Sequence, residues 1–257
     1  MKRREFMKSA AVFVSGAAVS VSALELLDPR EVLAKNPDLR WGFLVDTHKC
    51  VGCGMCVKAC KIENDVPLEA NVTRTWVERY VMTKQGEVFK DSPDGAQHGY
   101  TTKRIDQNHS GMKDVADEDI TQAFFVPKLC NHCELAACVQ VCPVGATYST
   151  ADGVVLVDRK WCIGCGYCIM GCPYGVRFFH PVVHTADKCT LCYHRISKGG
   201  NTACAQACPF GARKLANLRD PNDPVAKIIL TQRVGVLRPE YGTKPQCYYI
   251  GLNEEVR

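Results

Sequence analysis

Sixteen of the 17 cysteines in this 257-residue chain fall into four sets of four, and that repeat limits the possible folds more than any other feature. The first set is Cys50, Cys53, Cys56 and Cys60, spaced C-x2-C-x2-C-x3-C. The second is Cys130, Cys133, Cys138 and Cys142, spaced C-x2-C-x4-C-x3-C-P. The third, Cys162, Cys165, Cys168 and Cys172, repeats the first spacing and adds the proline. The fourth, Cys189, Cys192, Cys204 and Cys208, opens its middle to C-x2-C-x11-C-x3-C-P. Only Cys247 stands outside the sets. A chain of this length can build a hydrophobic core, so the cysteines are not replacing one.

The first and third sets match the cysteine run of bacterial ferredoxins. Three closely spaced thiolates on a tight loop can face one iron–sulfur cube. The fourth, three residues on, is expected to enter a helix and point to a second cube, so the motifs work in pairs. Pro143, Pro173 and Pro209 follow the last cysteine of three sets and fix the chain direction there, while Lys61 takes that place in the first. Gly52, Gly54, Gly164 and Gly166 let backbone N–H groups approach cluster sulfides. Zinc would use two C-x2-C pairs and has no need of the further cysteines at x2 and x3. A disulfide framework would not use neighbours that cannot all bridge. Haem c attachment is excluded, because no C-x2-C is followed by His; Cys192-Tyr193-His194 is the nearest miss. Sixteen cysteine ligands predict four complete [4Fe–4S] clusters. Each oxidised cube with four thiolates carries about two negative charges. Lys49, Lys58, Lys128, Arg159, Lys160, Lys188 and Arg195 lie near the motifs and are candidates to offset that charge, although most are expected to be solvated.

The N-terminus reads as an address. Arg3, Arg4, Phe6 and Lys8 precede a short apolar segment that ends at Ala23, and this resembles a twin-arginine export signal over residues 1–23. That route carries folded proteins, so cofactors can be inserted before the thiols meet an oxidising compartment. The signal holds a net +3, and its removal takes the formal charge from +5 to +2, which argues against a nucleic-acid partner. No uninterrupted apolar run in the sequence reaches bilayer-spanning length. No nucleophile–base constellation, Walker loop or dinucleotide fingerprint is present, so the chain is not expected to be an enzyme by itself.

The motifs CVGCGMCVKAC, KLCNHCELAACVQVCPVGATY, DGVVLVDRKWCIGCGYCIMGCPYGVRF and TADKCTLCYHR…ACAQACPFGAR carry a wider resemblance. From about Trp41 to Leu252 the chain resembles the four-cluster ferredoxin subunits of the dimethyl-sulfoxide-reductase superfamily of respiratory complexes. The tail LRPEYGTKPQCYYIGL resembles in particular the iron–sulfur subunits of tetrathionate and polysulfide reductases, and periplasmic menaquinone-reducing complexes have a similar subunit. The resemblance implies an α+β fold of two pseudo-symmetric dicluster-ferredoxin-like modules, with short strands, short helices and long loops. It implies four ligand sets: Cys50, Cys53, Cys56 and Cys208; Cys60, Cys189, Cys192 and Cys204; Cys130, Cys133, Cys138 and Cys172; and Cys142, Cys162, Cys165 and Cys168. It also implies a periplasmic electron-transfer role beside a molybdopterin-oxidoreductase-type catalytic subunit and an integral membrane quinone-interacting subunit, or a multihaem cytochrome c. A free periplasmic carrier of electrons is the alternative.

The expected organisation is a signal (1–23), an N-terminal arm (24–40), the four-cluster domain (41–223) and a C-terminal extension packing on it (224–257). The long polar stretch 84–123 is expected to be an exposed insertion, with a partner-contact surface as the other reading. Strands are predicted over 42–46, 71–82 with 87–90, 123–126, and a hairpin 147–150 with 154–157. Short helices are predicted after the fourth cysteine of each set, and a surface helix over 225–233. His132 and His194 lie near cluster loops and are expected to pack or be solvated more often than to tune a cluster. Cys247 is expected to be a buried free thiol in a strand.

Overall fold

The computed structural model describes residues 38–100, 105–106 and 112–256. The export signal, and the arm up to residue 37, lie outside the described residues.

The chain opens with the apolar strand β1 (Trp41–Asp46), in which Phe43, Leu44 and Val45 are all buried. The first cysteine loop leads into helix α1 (Met55–Glu63). A hairpin of β2 (Thr75–Thr83) and β3 (Val88–Asp91) turns at Gly86. The two-residue strands β4 (Ile105–Asp106) and β5 (Met112–Lys113) pair with each other, and β6 (Ile120–Leu129) returns along the far edge of β2. The second and third sets bring helix α2 (Ala137–Gln140), the hairpin β7 (Thr147–Ser149) and β8 (Val155–Val157), and helix α3 (Tyr167–Met170). A short ladder follows, of β9 (Phe178–Phe179) and β10 (Ala186–Asp187). The fourth set spans α4 (Tyr193–Ile196) and α5 (Ala203–Gln206). The chain then closes through β11 (Arg213–Asn217), α6 (Pro224–Thr231), β12 (Val234–Gly235) and β13 (Cys247–Ile250).

Two sheets organise these pieces. One has the order β11-β1-β13-β12, with β1 antiparallel to β11 and parallel to β13. The C-terminal strand β13 is therefore an inner strand, with Cys247 beside Phe43 and Tyr249 beside Val45. Its alternation buries Cys247 and Tyr249 and leaves Tyr248 and Ile250 half-buried, the period-two pattern of a strand with one core face. The other sheet has the order β3-β2-β6, and Tyr80 stacks on its cross-strand partner Phe124 at 5.3 Å. Phe43, Val57, Tyr80, Leu129 and Tyr249 meet in one apolar core.

In the second, third and fourth sets a helix lies before the fourth cysteine, not after it. Residues 137–140, 167–170 and 203–206 are helical and end ahead of Cys142, Cys172 and Cys208. The following proline is the reason: it disfavours the α conformation of the cysteine it follows and supplies no N–H to continue the helix. In the first set Lys61 stands in that place, and α1 runs on through Cys60 to Glu63. Helix α1 packs against α5, and α2 against α3. Sets one and four thus meet, and so do sets two and three.

The stretch 84–123 is not simply an exposed insertion. Phe89, Asp91 and Ala96 are buried, and the turn at Pro93–Ala96 lies over the first cysteine loop. Two of its polar residues work internally. The Arg79 guanidinium grips Asp91 through Nε at 2.9 Å and Nη2 at 2.5 Å, and the Tyr100 hydroxyl donates to the Val77 carbonyl at 2.7 Å. The expectation of an exposed insertion holds for most described polar residues of 84–123, such as Lys84, Gln85, Asp117 and Glu118, and fails around residues 89–96, where Asp91 is buried and paired.

Candidate metal centres

The crossing of the chain brings cysteines from distant sets together. Cys60, at the end of α1, lines one cavity with Cys189, Cys192 and Cys204, and all four are buried. Cys172 lines a second with Cys130, Cys133 and Cys138. Cys50, Cys56 and Cys208 lie near enough to act on one another electrostatically, and Cys53 acts on Cys56. Cys162, Cys165 and Cys168 lie on the loop and helix 162–170, and Cys142 follows the helix that packs against α3.

Several of these thiols, Cys50, Cys56, Cys60, Cys133, Cys138, Cys189 and Cys192, are held in surroundings that resist ionisation by themselves. Burial, followed by the charges of Cys189, Cys204 and Cys192, pushes the Cys60 thiol far above its ordinary range. Burial and the neighbouring thiolates push Cys133 up to about 12, and burial takes Cys50 to about 11. Thiolates so placed need a cationic centre among them, and protons leave as it binds. Cys142 is shifted the other way: although burial opposes its charge, the backbone N–H groups of Thr147, Val144 and Ala146 hold its thiol below the ordinary value.

The donor set suits iron–sulfur clusters. Tetrahedral zinc, with Zn–S of about 2.3 Å, would draw its sulfurs to within about 4 Å of one another. Among the described residues, no three Cys, His, Asp or Glu side chains are grouped closely enough to hold a single ion. The thiols instead line cavities, as ligands of a polynuclear cube do. Backbone N–H groups reach the sulfurs: Leu191 to Cys189 at 3.3 Å, Ala203 to Cys192 at 3.5 Å, His132 to Cys130 at 3.5 Å and Ala212 to Cys208 at 3.3 Å. Such bonds favour the anionic ligand and tune its potential.

Several contributors were invisible to charge patterning. Arg74 lines the first cavity, holding Asp187 through Nη2 at 2.9 Å and the Asn64 side-chain Oδ1 through Nη1 at 2.7 Å. Asn64 then turns its amide nitrogen toward the Cys60 sulfur at 3.6 Å. Arg177 and Asn131 line the second cavity, both buried and both with polar atoms that find no nitrogen or oxygen partner in the chain. Arg213 is buried in the same condition. A signal for the two arginines existed, since each stands fifth after a set's last cysteine, in CPYGVR and CPFGAR.

Of the seven cations read from sequence, Lys128 and Lys188 are buried, and the others are exposed or half-buried. Lys128 pairs with Glu78 at 2.8 Å, and Lys188 donates to the carbonyls of Val155 and Cys189. His132 is fully buried and neutral: burial first, then Lys188 and Arg177, hold its pKa far below the usual value. Its Nδ1 accepts the Val155 N–H at 3.0 Å, so the ring pins the β7–β8 hairpin. His194 is a surface partner of Glu63 at 2.7 Å. Cys247 is a buried thiol pushed up to about 12 by burial.

Comparison with known proteins agrees with this geometry. Residues 49–146 and residues 121–218 each match the 4Fe-4S dicluster domain. The chain is 34% identical to a tetrathionate reductase subunit of Salmonella typhimurium, over 98% of this chain and 89% of that one. It is 41% identical to a tetrathionate reductase subunit of Archaeoglobus fulgidus, over 83% of each chain. It is 31% identical to the arsenate respiratory reductase iron-sulfur subunit ArrB of a Shewanella species, over 82% of this chain and 96% of that one. With two dicluster domains and four clusters, the chain belongs to the family of iron–sulfur electron-transfer subunits of dimethyl-sulfoxide-reductase-type complexes.

Proposed function

We propose that the chain is a fixed wire inside a respiratory complex, passing single electrons between a catalytic subunit of the molybdopterin-oxidoreductase type and a membrane subunit that exchanges electrons with quinone, or a multihaem cytochrome c. When bound, each cluster takes up one electron and passes it on. The proposed ligand sets are Cys50, Cys53, Cys56 and Cys208; Cys60, Cys189, Cys192 and Cys204; Cys130, Cys133, Cys138 and Cys172; and Cys142, Cys162, Cys165 and Cys168. The observation that carries this reading is the sharing of cavities: the fourth cysteine of one set lines a cavity with three of another. Cys56 and Cys60, one helical turn apart on α1, then serve neighbouring clusters, so the backbone itself fixes their spacing.

The chain's own residues keep water from the clusters, donate N–H groups to sulfur and hold cations beside it. The surroundings of the third set support a partner at that end. Cys165 is exposed, and so are Trp161, Ile163, Tyr167 and Met170, which flank it in sequence. Among the described residues no helix is long and apolar enough to cross a membrane, so access to quinone falls to a partner. The proposed location is the periplasmic face of the membrane, after twin-arginine export.

The test is tagged purification from detergent-solubilised membranes, with mass spectrometry of what accompanies the chain. Recovery of a molybdopterin-type subunit and an integral membrane protein is the expected result. An iron-loaded chain that arrives alone would replace the fixed wire with a free periplasmic carrier.

A further inference from the structure

Arg177 and Arg213 occupy equivalent places in the repeat, each five residues after the last cysteine of its set. Both are buried, at 5% and 2% exposure. Each satisfies one nitrogen with a threonine hydroxyl: Arg177 Nη1 donates to Thr147 at 3.3 Å, and Arg213 Nη1 donates to Thr75 at 2.8 Å. The remaining Nε and Nη2 of both are buried and meet no nitrogen or oxygen acceptor in the chain, while the Cys138 thiol lies within reach of Arg177. Arg74, by contrast, is neutralised by Asp187.

Each guanidinium lies between two ligand sets: Arg177 lines the cavity of Cys130, Cys133, Cys138 and Cys172, and its partner Thr147 donates its N–H to Cys142. Arg213 is held by Thr75, which lines the cavity of Cys60, Cys189, Cys192 and Cys204, and its neighbour Ala212 donates its N–H to Cys208. Burial opposes the charge on Arg177, but Cys138, Cys130 and Cys168 outweigh it. Burial opposes the charge on Arg213, but Cys56, Cys204 and Cys50 outweigh it. A buried cation with unused donors is strongly destabilising unless an anionic acceptor lies beside it. Beside these side chains the available anionic acceptors are thiolates and, when bound, the sulfides of a cluster.

We propose that Arg177 and Arg213 are matched bridges, each donating N–H groups to two neighbouring clusters and raising the reduction potentials of both. Arg177 serves the clusters of Cys130–Cys138 and of Cys168; Arg213 serves those of Cys50–Cys56 and of Cys204. Reduction adds negative charge to a cluster, and a fixed cation beside it favours that form. This rests on the ligand sets proposed above.

The test is an EPR-monitored redox titration of the cluster-loaded full chain, in Arg177→Gln, Arg213→Gln and the two Arg→Lys variants. Each Gln variant should lower two potentials together, by at least tenfold in the reduction equilibrium, or about 59 mV for one electron. The other two potentials should stay in place, and the Lys variants should recover at least half the shift. Unchanged potentials, a shift of one cluster alone or an equal shift of all four would overturn the bridges. An error in the ligand sets would only change which two clusters move together, and Cys→Ser variants identify those clusters. Should a Gln variant shed iron, pulsed EPR of wild-type chain containing 15N-labelled arginine decides the matter. Coupling of 15N to reduced clusters in both modules is expected, and its absence refutes the proposal.

Discussion

Gly54 and Gly166 occupy the same place in the identical pattern C-x-G-C-G-x-C, so sequence alone assigns them equal roles. Both adopt left-handed backbone, with φ of 73° and 78°, at the start of a helix. Alanine at either position meets a backbone penalty of about 1–2 kcal/mol. Their surroundings differ. A Cβ on Gly54 would stand 1.9 Å from the Ala96 carbonyl oxygen, whereas on Gly166 its nearest neighbour is the Phe179 ring at 3.4 Å. The first contact is with backbone and cannot be relieved by a rotamer change. The turn at 93–96 would have to retreat by about 1 Å, a form of overpacking that adds about 1–3 kcal/mol. Gly54→Ala should therefore melt about 2–12 °C below Gly166→Ala, at about 2–4 °C per kcal/mol for a chain of this size. Anaerobic thermal melts with parallel iron analysis provide the assay, and Gly54→Ala should shed iron first. Equal melting temperatures and equal iron retention in the two variants would refute the idea that segment 88–100 clamps the first loop. Gly52→Ala and Gly164→Ala form a second such pair, the first meeting the Phe125 ring at 2.6 Å and the second only the His184 carbonyl at 3.6 Å.

Cys208→Ser should alter the EPR signal of the cluster on the Cys50 loop, far away in sequence, and spare the one on Cys189 and Cys192; the reverse pattern refutes the proposed pairing. Lys61→Pro should destabilise the chain by about 3 kcal/mol or more, since α1 continues through that residue. Lys61→Met removes only the Nζ bonds to the carbonyls of Leu68 at 3.1 Å and Ala70 at 2.6 Å, and should cost about 1–3 kcal/mol. A harmless proline at 61 in a thermal melt would contradict that account of the longer helix. Asp223→Ala removes a cap whose Oδ1 accepts from Val225 at 2.7 Å and Ala226 at 2.9 Å; the expected loss is about 1 kcal/mol with cluster spectra unchanged.

The cysteine sets, the strand at 42–46, the hairpin at 147–157 and the C-terminal helix were legible because each has a local cause: ligand spacing, apolar patterning, an Asp-Gly turn, an Asp-Pro start. The helices were misplaced because helix entry was weighed and the veto of the following proline was not. Segment 88–100 was misread because side-chain polarity cannot show whether its partners are water or protein, and Asp91 with Arg79 are protein-paired. The buried arginines were overlooked because charge runs normally mark a solvated face, and only the crossing of the chain reveals the anionic ligands around them. The parallel pairing of β13 with β1 joins residues about two hundred positions apart and leaves no local trace.

That pairing also sets an order of events during synthesis. Residues 130–172 hold every cysteine of the second and third sets, and α2 and α3, but Thr243 completes their cavity and the N–H groups of Glu134 and Leu135 donate to the carbonyls of Lys244 and Thr243, so this part too is finished only by the C-terminal tail. The earlier β1 and the first cysteine loop wait longest. They emerge first, yet their sheet lacks an inner strand until residues 247–250 arrive. The first thiols made are thus among the last to be enclosed, and through most of translation they stand open to delivery of iron and sulfide, and equally to oxidants. A chain wound this way gains from finishing assembly in a reducing compartment before it goes anywhere else.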